Sequence, residues 1–369
     1  MPKKFNGLNV SSKLGICGMP IRIDSYKGCS FGCRYCFANA RVIMAFDQSE
    51  IQICDIDSVK RTIDRAEKGR NRLLERLIAS GITWHMGGMS DPLQPCEAKH
   101  GITRRLLALI KERGLSVLLS TKSDTVYDCE LDPACHAVQL SVTNVQNRRD
   151  IEPNVPSIER RISFFHELKR AGVKVGIRIQ PFIPGIASLD IVKAFDGADH
   201  FIIEGVKGVP QNKAQRDFIR NELGIPDSAF TQMGLLNLKR DIRLQLYEPF
   251  LSYFKAHNIS YSISDNDIRE LSSDRCCCGD ALIRKASGMD ITALAYDGRL
   301  EDLEEPIRRA RELGIADCDC RHLFTSNRCH GFRTVEEMLR SKQETSASPA
   351  NPVNQSGKEP YQPSLFRAV

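Results

Sequence analysis

Long apolar runs are missing from this chain. No stretch approaches the roughly 18 consecutive apolar residues of a membrane-spanning helix. The opening residues, Met1-Pro2-Lys3-Lys4-Phe5-Asn6, lack the apolar segment of an export signal. The protein is therefore expected in the cytoplasm, with no membrane partner. There is no internal repeat and no strong excess of one charge. The formal charge of +6 is compatible with a polyanionic partner without requiring one. With 41% hydrophobic and 27% charged residues, the composition suits a globular fold. A length of 369 residues allows one large domain with an extension.

Cysteine, by contrast, is abundant. Fourteen cysteines without an export signal are expected to be reduced, and clustered reduced thiols point to metal or catalysis. They form three groups: Cys29, Cys33 and Cys36; Cys276, Cys277 and Cys278; and Cys318, Cys320 and Cys329. Cys17, Cys54, Cys96, Cys129 and Cys135 are scattered, and a scattered cysteine reads first as a small buried apolar residue. The first group lies in Gly28-Cys29-Ser30-Phe31-Gly32-Cys33-Arg34-Tyr35-Cys36-Phe37, with the spacing C-x3-C-x2-C. Three thiolates on a tight loop suit three irons of a cubane, and the fourth iron stays open to a small chelating molecule. Structural zinc normally takes four nitrogen or sulfur ligands. No fourth cysteine or histidine lies nearby, since the first histidine is His85. The other two groups supply up to six thiolates, a donor set that selects zinc or iron–sulfur. A second iron–sulfur cluster or a zinc ion on Cys276, Cys277, Cys278, Cys318, Cys320 and Cys329 is therefore expected.

Between 82 and 206, short apolar runs alternate with longer amphipathic ones. Strands are expected at Ile82–Gly87, Ser116–Thr121, Ala137–Val142, Val173–Gln180 and His200–Val206, with helices at Arg104–Arg113 and Pro156–Ala171. Met19–Asp24 reads as a first strand and Ile259–Ser264 as a last one. Asp57–Ser80 and Leu238–His257 read as helices. This alternation argues for parallel βα units. The expected fold class is α/β, a partial (β/α)6-type TIM barrel over 1–264, with its chemistry at the C-terminal strand ends. A cysteine-rich extension follows over 265–341, with one clear helix at Leu303–Leu313. The segment 342–369 turns to Ser, Ala, Pro, Asn and Gln and reads as a disordered tail.

Cys29-x3-Cys33-x2-Cys36, with Tyr35 before the last cysteine, resembles the signature of the radical S-adenosylmethionine (SAM) superfamily. The resemblance extends further. Asp91-Pro92-Leu93-Gln94-Pro95-Cys96-Glu97 is similar to the D-P-Y-Q-P-x-E segment of spore photoproduct lyase-like members. Ile102-Thr103-Arg104, Thr121-Lys122-Ser123-Asp124, Ile151-Glu152-Pro153 through Arg161, and Pro181-Phe182-Ile183-Pro184-Gly185 resemble that family's further segments, in order, over about residues 20–206. The resemblance implies a 4Fe–4S cluster on Cys29, Cys33 and Cys36 that binds SAM through its methionine amino and carboxylate groups. It also implies reductive cleavage of SAM to a 5′-deoxyadenosyl radical, fed by a reductant such as flavodoxin or ferredoxin. The protein's part is orientation and exclusion of side reactions. Two departures stand out. Leu93 replaces the usual aromatic. Gly87-Gly88-Met89 stands where many members have Gly-Gly-Glu, so backbone carbonyls, or Ser90 and Asp91, would have to meet the SAM amino group.

Polar residues recur at successive expected strand ends. Tyr35, Gly87, Gly88, Ser90, Asp91, Thr121, Lys122, Ser123, Ser141, Thr143 and Arg178 are the candidate cofactor-binding residues. Gly87 and Gly88 let backbone approach a ligand. Cys96 is the candidate hydrogen donor. Arg61, Arg65, Lys68, Arg72 and Arg76 would form one basic stripe on the Asp57–Ser80 helix.

Three readings of function follow. The first is a radical SAM enzyme, a lyase or a transferase, that repairs a DNA lesion or modifies a DNA base. The second keeps the radical chemistry but acts on a protein, peptide or RNA with an auxiliary metal cluster. The third is a non-enzymatic, metal-stabilised nucleic-acid-binding module. The tail separates them. Gln362-Pro363-Ser364-Leu365-Phe366 resembles the Q-x-x-L-F pentapeptide that docks on bacterial sliding clamps, which would bring the enzyme to DNA. Burying a Leu and a Phe contributes roughly 1.5–3 kcal/mol each before ordering costs. A tail peptide should thus bind a bacterial clamp in the micromolar range by fluorescence anisotropy. Leu365→Ala with Phe366→Ala should abolish that binding, and a wild-type peptide that fails to bind would remove the tail as an argument for DNA.

Overall fold

The structure is a computed structural model that describes residues 2–11, 14–40, 51–231, 235–290, 304–323 and 332–346. Cys329 and Gln362–Phe366 lie outside the described residues. The strands, in chain order, are β1 (Lys4–Phe5), β2 (Leu8–Val10), β3 (Ile21–Ile23), β4 (Tyr26–Lys27), β5 (Gln52–Cys54), β6 (Trp84–Met86) and β7 (Val117–Thr121). They continue with β8 (His136–Ser141), β9 (Lys174–Phe182), β10 (His200–Gly205), β11 (Lys207–Gly208), β12 (Leu236–Asn237) and β13 (Tyr261–Ile263).

Eight of them make one sheet in the order β13-β10-β9-β8-β7-β6-β3-β2. Every neighbouring pair from β3 to β13 is parallel, and β2 runs antiparallel to β3. The fold is therefore mixed α/β on a mainly parallel sheet. Near-continuous apolar runs such as Val117-Leu118-Leu119 are what strands covered on both faces require. Side chains alternate between the faces. Leu119, Val138, Leu140, Ile177 and Ile203 enter the main core. Helices Ile102–Glu112, Ile158–Arg170 and Arg240–Ala256 pack on that side through Leu106 and Ile110, Phe164 and Phe165, and Tyr247 and Phe254.

The other face is polar. His85 and Ser120 are bonded at 2.8 Å, Ser120 donates to Gln139 at 3.1 Å, and Arg178 reaches Gln139 at 3.5 Å. The segment after β13 covers this face. Gln139 donates to the Cys278 carbonyl at 3.0 Å, and Leu282 packs with Leu118 and Ala137. Gly176 makes room for it, since a Cβ there would lie 2.4 Å from Leu282.

The expected strands and the helices on the main sheet stand within a few residues of their places. Three findings differ. The single helix expected over 57–80 is two, Ile56–Glu67 and Leu73–Ala79, broken where Gly69 takes φ 70°. The basic stripe is dissolved by that break and by pairing: Arg61 lies 3.7 Å from Asp55, Arg65 2.6 Å from Glu75 and Arg76 3.4 Å from Asp317. A helix also spans Val335–Ser346, running past the expected start of the tail, because Val335, Met338 and Leu339 bury one face. Among the described residues no helix is long and apolar enough to cross a membrane.

Gly87 follows β6 with φ 87°, and a Cβ there would lie 2.4 Å from the Ser120 carbonyl oxygen. Gly87→Ala should therefore destabilise the fold by about 2 kcal/mol or more, read as a lower urea midpoint. An unchanged midpoint would show that the backbone here relaxes freely.

Candidate cofactor-binding site

The loop from Gly28 to Cys36 leaves β4 and enters the helix Phe37–Ala40. Two side chains from elsewhere hold it. Gln94, fully buried, accepts from the Ser30 amide at 2.8 Å and donates to the Gly28 carbonyl at 2.9 Å. Asn154 donates to the Ser30 carbonyl at 2.9 Å. The Arg34 amide donates to the Ile151 carbonyl at 3.0 Å, and the Cys36 amide closes a turn on the Cys33 carbonyl at 3.1 Å. Gly32 takes φ 65° against Asn154 and Pro153.

Cys29, Cys33 and Cys36 are each half-buried on this loop. Burial first, then the Asp91 charge, pushes the Cys29 thiol up to about 12, and Cys36 adds to it. The backbone amides of Asp91 and Phe31 act the other way and favour its thiolate. Burial and Glu152 push Cys33 well above the usual thiol range, with Lys122 opposing and Cys36 and Cys29 adding. Each of these thiols thus disfavours ionisation of its neighbours, and a cation among them would invert that repulsion. Among the described residues no three His, Cys, Asp or Glu side chains converge as a finished metal site. The fit with an iron–sulfur cluster rests on donor chemistry: three soft thiols on one clamped loop, inside one another's field.

Behind the loop stands a buried ionic network. The Tyr35 hydroxyl donates to Glu152 and lies 3.0 Å from Thr143 Oγ1. Lys122 Nζ is 2.9 Å from Glu152 and 3.3 Å from Thr143 Oγ1. Burial alone would raise the Glu152 pKa, but Lys122, Arg161 and the Tyr35 bond outweigh it and hold the carboxyl below the usual range. Arg161 donates to the Ser141 carbonyl.

The segment 91–97 supplies the frame. Asp91 accepts from Thr121 Oγ1 at 2.7 Å, the Lys122 amide at 2.6 Å and the Leu93 amide at 2.9 Å. Burial raises its pKa despite those bonds. Glu97 accepts from the amides of Thr103 and Arg104 at 2.9 and 3.0 Å and from the Tyr26 hydroxyl. It thereby satisfies free amides at the start of helix Ile102–Glu112. Ser90 donates to the Tyr26 carbonyl, and Ser123 bonds the amide of Thr125 at 3.3 Å.

Most of the candidate residues thus gather after β6, β7 and β8. Arg178 stands beside Ser141, in register with it on the neighbouring strand. It lies within β9 and bonds Glu204 at 3.0 Å and Ser264 at 3.4 Å. Cys96 immediately precedes the short helix Glu97–His100. Burial, then Glu97 and Cys29, pushes its thiol up to about 12. The C-terminal cysteines separate. Cys276, Cys277 and Cys278 lie on the polar face of the sheet. Cys318 and Cys320 are buried in the main core, Cys318 against the Asn71 carbonyl at 3.6 Å.

Sequence reasoning assigned no role to Gln94, Glu152, Asn154 or Asp24. The first three sit inside the quoted segments, so the signal was present. Asp24 follows β3 and accepts from the Met89 amide at 3.1 Å. Burial pushes its pKa up to about 6 against that bond and Arg22. It brings a carboxylate to the Gly-Gly-Met turn.

No family model matches the chain. It is similar to an uncharacterized protein of Methanocaldococcus jannaschii, 30% identical over 176 residues, covering 46% of this chain and 63% of that protein. It is also similar to the "Radical SAM Nalpha-GlyT isomerase" of Pseudomonas phage M6, 24% identical over 200 residues, covering 51% of this chain and 39% of that one. The chain thus spans less than two thirds of the length of the curated relatives it matches. Among solved structures it shares the fold of spore photoproduct lyase with bound AdoMet and dinucleoside spore photoproduct. There the TM-score is 0.51 at 15% identity, over 66% of this chain and 76% of that one. These likenesses give the chain the fold of spore photoproduct lyase and a sequence likeness to a radical SAM protein. The resemblance to spore photoproduct lyase-like proteins is upheld.

Glu152→Gln would leave Lys122 buried without its counter-charge, at a cost of about 3–5 kcal/mol. Because the folded carboxyl is held below its unfolded value of about 4.3, the charged form stabilises the fold fully above that pH. The advantage fades as pH falls through the lower folded value. Urea titrations should show the gap between wild type and Glu152→Gln steady from neutral pH to about 5 and shrinking below about 4. A gap independent of pH would contradict the ionic network.

Proposed function

We propose that this chain is a radical SAM enzyme that holds a 4Fe–4S cluster on Cys29, Cys33 and Cys36 and acts on DNA, repairing a lesion or modifying a base. The observation that carries the reading is the clamped three-cysteine loop set beside the C-terminal ends of parallel strands. The open run of parallel strands is read as the partial barrel of this class. When bound, cluster and SAM supply an electron and a 5′-deoxyadenosyl radical.

The chain's own part is positioning. Gln94 and Asn154 fix the loop that carries the thiols. Asp24 and the backbone around Gly87 and Gly88 offer acceptors for the SAM amino group. Thr121, Lys122, Ser123, Ser141 and Thr143 line the neighbouring strand ends, where ribose hydroxyls or the SAM carboxylate would bind. Cys96 keeps its hydrogen at neutral pH, because burial and Glu97 oppose ionisation, and a hydrogen donor must be in that form. The DNA substrate is supported by two likenesses. Spore photoproduct lyase, which shares this fold, forms a complex with a dinucleoside spore photoproduct, and the tail resembles a clamp-binding motif. A flavodoxin- or ferredoxin-type reductant and a cytoplasmic location complete the reading.

Anaerobically reconstituted, reduced protein should convert SAM to 5′-deoxyadenosine, followed by chromatography. Cys29→Ala, Cys33→Ala or Cys36→Ala should each abolish conversion, since a three-thiolate site has no spare ligand. Altered nucleosides should appear when DNA is present. Full conversion by the triple variant would sink the assignment. Conversion without any change in DNA would pass the lead to a peptide or RNA substrate.

A further inference from the structure

Four cysteines outside the cluster loop meet where the segment after β13 covers the polar face of the sheet. The sulfurs of Cys277 and Cys278 are 3.8 Å apart, and Cys276 bonds both. Cys17 belongs to the far end of the chain. It packs in one cluster with Cys276, Cys278, Leu118, Ala137 and Leu282. A Cβ on its neighbour Gly18 would lie 3.5 Å from the Cys276 sulfur.

Buried cations surround these thiols. Arg22 donates to the Cys17 sulfur at 3.5 Å. Arg269 and Arg178, both largely buried, adjoin Cys277. Bonds from Cys276 and Cys278 first, and then the charges of these two arginines, hold its thiol well below the usual range against the effect of burial. The Arg269 Nε has no hydrogen-bond partner. The backbone of the trio is pinned too: Ser264 donates to the Cys277 carbonyl at 3.4 Å and Gln139 to that of Cys278 at 3.0 Å.

We propose that Cys17, Cys276, Cys277 and Cys278 form a second metal site, a four-thiolate site for one zinc-type divalent ion. The set differs from the one the sequence suggests: Cys17 enters it, and Cys318, Cys320 and Cys329 leave it. Geometry and charge both support this. A tetrahedral site with zinc–sulfur bonds of about 2.3 Å has sulfurs about 3.8 Å apart, the separation of Cys277 and Cys278. Three successive residues with sulfurs in mutual contact suit a single ion. A cubane would require its thiolates to reach separate irons. Four thiolates around a divalent ion leave two negative charges, which Arg22, Arg178 and Arg269 offset in a buried setting.

The ion has a way in. A cavity of about 200 Å3, lined by Gly18, Arg275, Cys276, Asp280, Asp290 and Glu305, opens beside the Cys276 thiol. Its three carboxylates would attract a cation. At present the Cys17 thiol donates to the Met19 carbonyl at 3.3 Å, so it must turn inward on loading. The described residues hold no finished three-donor site, so the thiols of Cys276, Cys277 and Cys278 must also close on the ion. Once formed, the site would lock the segment 276–283 onto the sheet and tie it to the start of the chain, which is structural metal binding coupled to folding.

The test uses the full chain carrying Cys29→Ala, Cys33→Ala and Cys36→Ala, so that it is independent of the radical SAM reading. Reduced, metal-free protein is titrated anaerobically with Co2+. The expected result is one cobalt per chain, with thiolate-to-cobalt charge-transfer absorption and the visible bands of a tetrahedral ion. Cys277→Ser added to this chain should weaken binding by about 100-fold, whereas Cys318→Ser with Cys320→Ser should leave it unchanged. A chain that is folded by circular dichroism but binds no cobalt would overturn the proposal. So would binding that survives Cys277→Ser or is lost with Cys318→Ser and Cys320→Ser. In the unmutated chain, Zn2+ should shield Cys17, Cys276, Cys277 and Cys278 from iodoacetamide while Cys135 keeps reacting. Equal alkylation with and without zinc would also overturn it.

Discussion

The site depends on one buried amide. Gln94 is bonded at both ends to the cysteine loop, to the Ser30 amide and the Gly28 carbonyl. A glutamine side chain offers a donor and an acceptor, so a single residue satisfies two backbone groups that burial would otherwise leave without partners. Each such loss costs about 1–3 kcal/mol. The same short segment anchors Asp91 to β7 and Glu97 to the next helix. The loop that carries the thiols is therefore referenced directly to the sheet.

That arrangement explains why the segment 91–97 reads so distinctly. Its polar residues are turned inward as supports, and most of their hydrogen bonds are made within the protein. Thr121 is bonded to Asp91, and Tyr35 and Lys122 to Glu152. A ligand at these strand ends would meet those supported side chains together with the loop's thiols, the backbone at the Gly87 turn, and Asp24, whose carboxyl burial pushes up to about 6.

Much of this was legible in the sequence because periodicity and spacing are local. The strands β6 to β10 announce themselves as apolar runs, and the three-cysteine loop by its spacing. The break at Gly69 was hidden by the apolar and basic residues that recur on both sides of it. Arg178 was expected on its strand, reaching toward the SAM carboxylate; it does stand on β9, and its pairing with Glu204, distant in sequence, was not legible. Cys17 looked like an isolated apolar residue. Its proximity to Cys276 is created by the way the chain returns after β13, and nothing within a short window records that. The split between Cys276–Cys278 and Cys318–Cys320 has the same origin, since closeness in sequence composition is not closeness in space.

The central claim is that Cys29, Cys33 and Cys36 hold a cluster with an iron open to SAM. Electron paramagnetic resonance of the anaerobically reconstituted, reduced protein tests it most directly. The account predicts a reduced 4Fe–4S signal whose g values shift on adding SAM, and which is lost in the Cys29, Cys33 and Cys36 alanine variants. A signal that SAM leaves unchanged, or one that survives those substitutions, would contradict it.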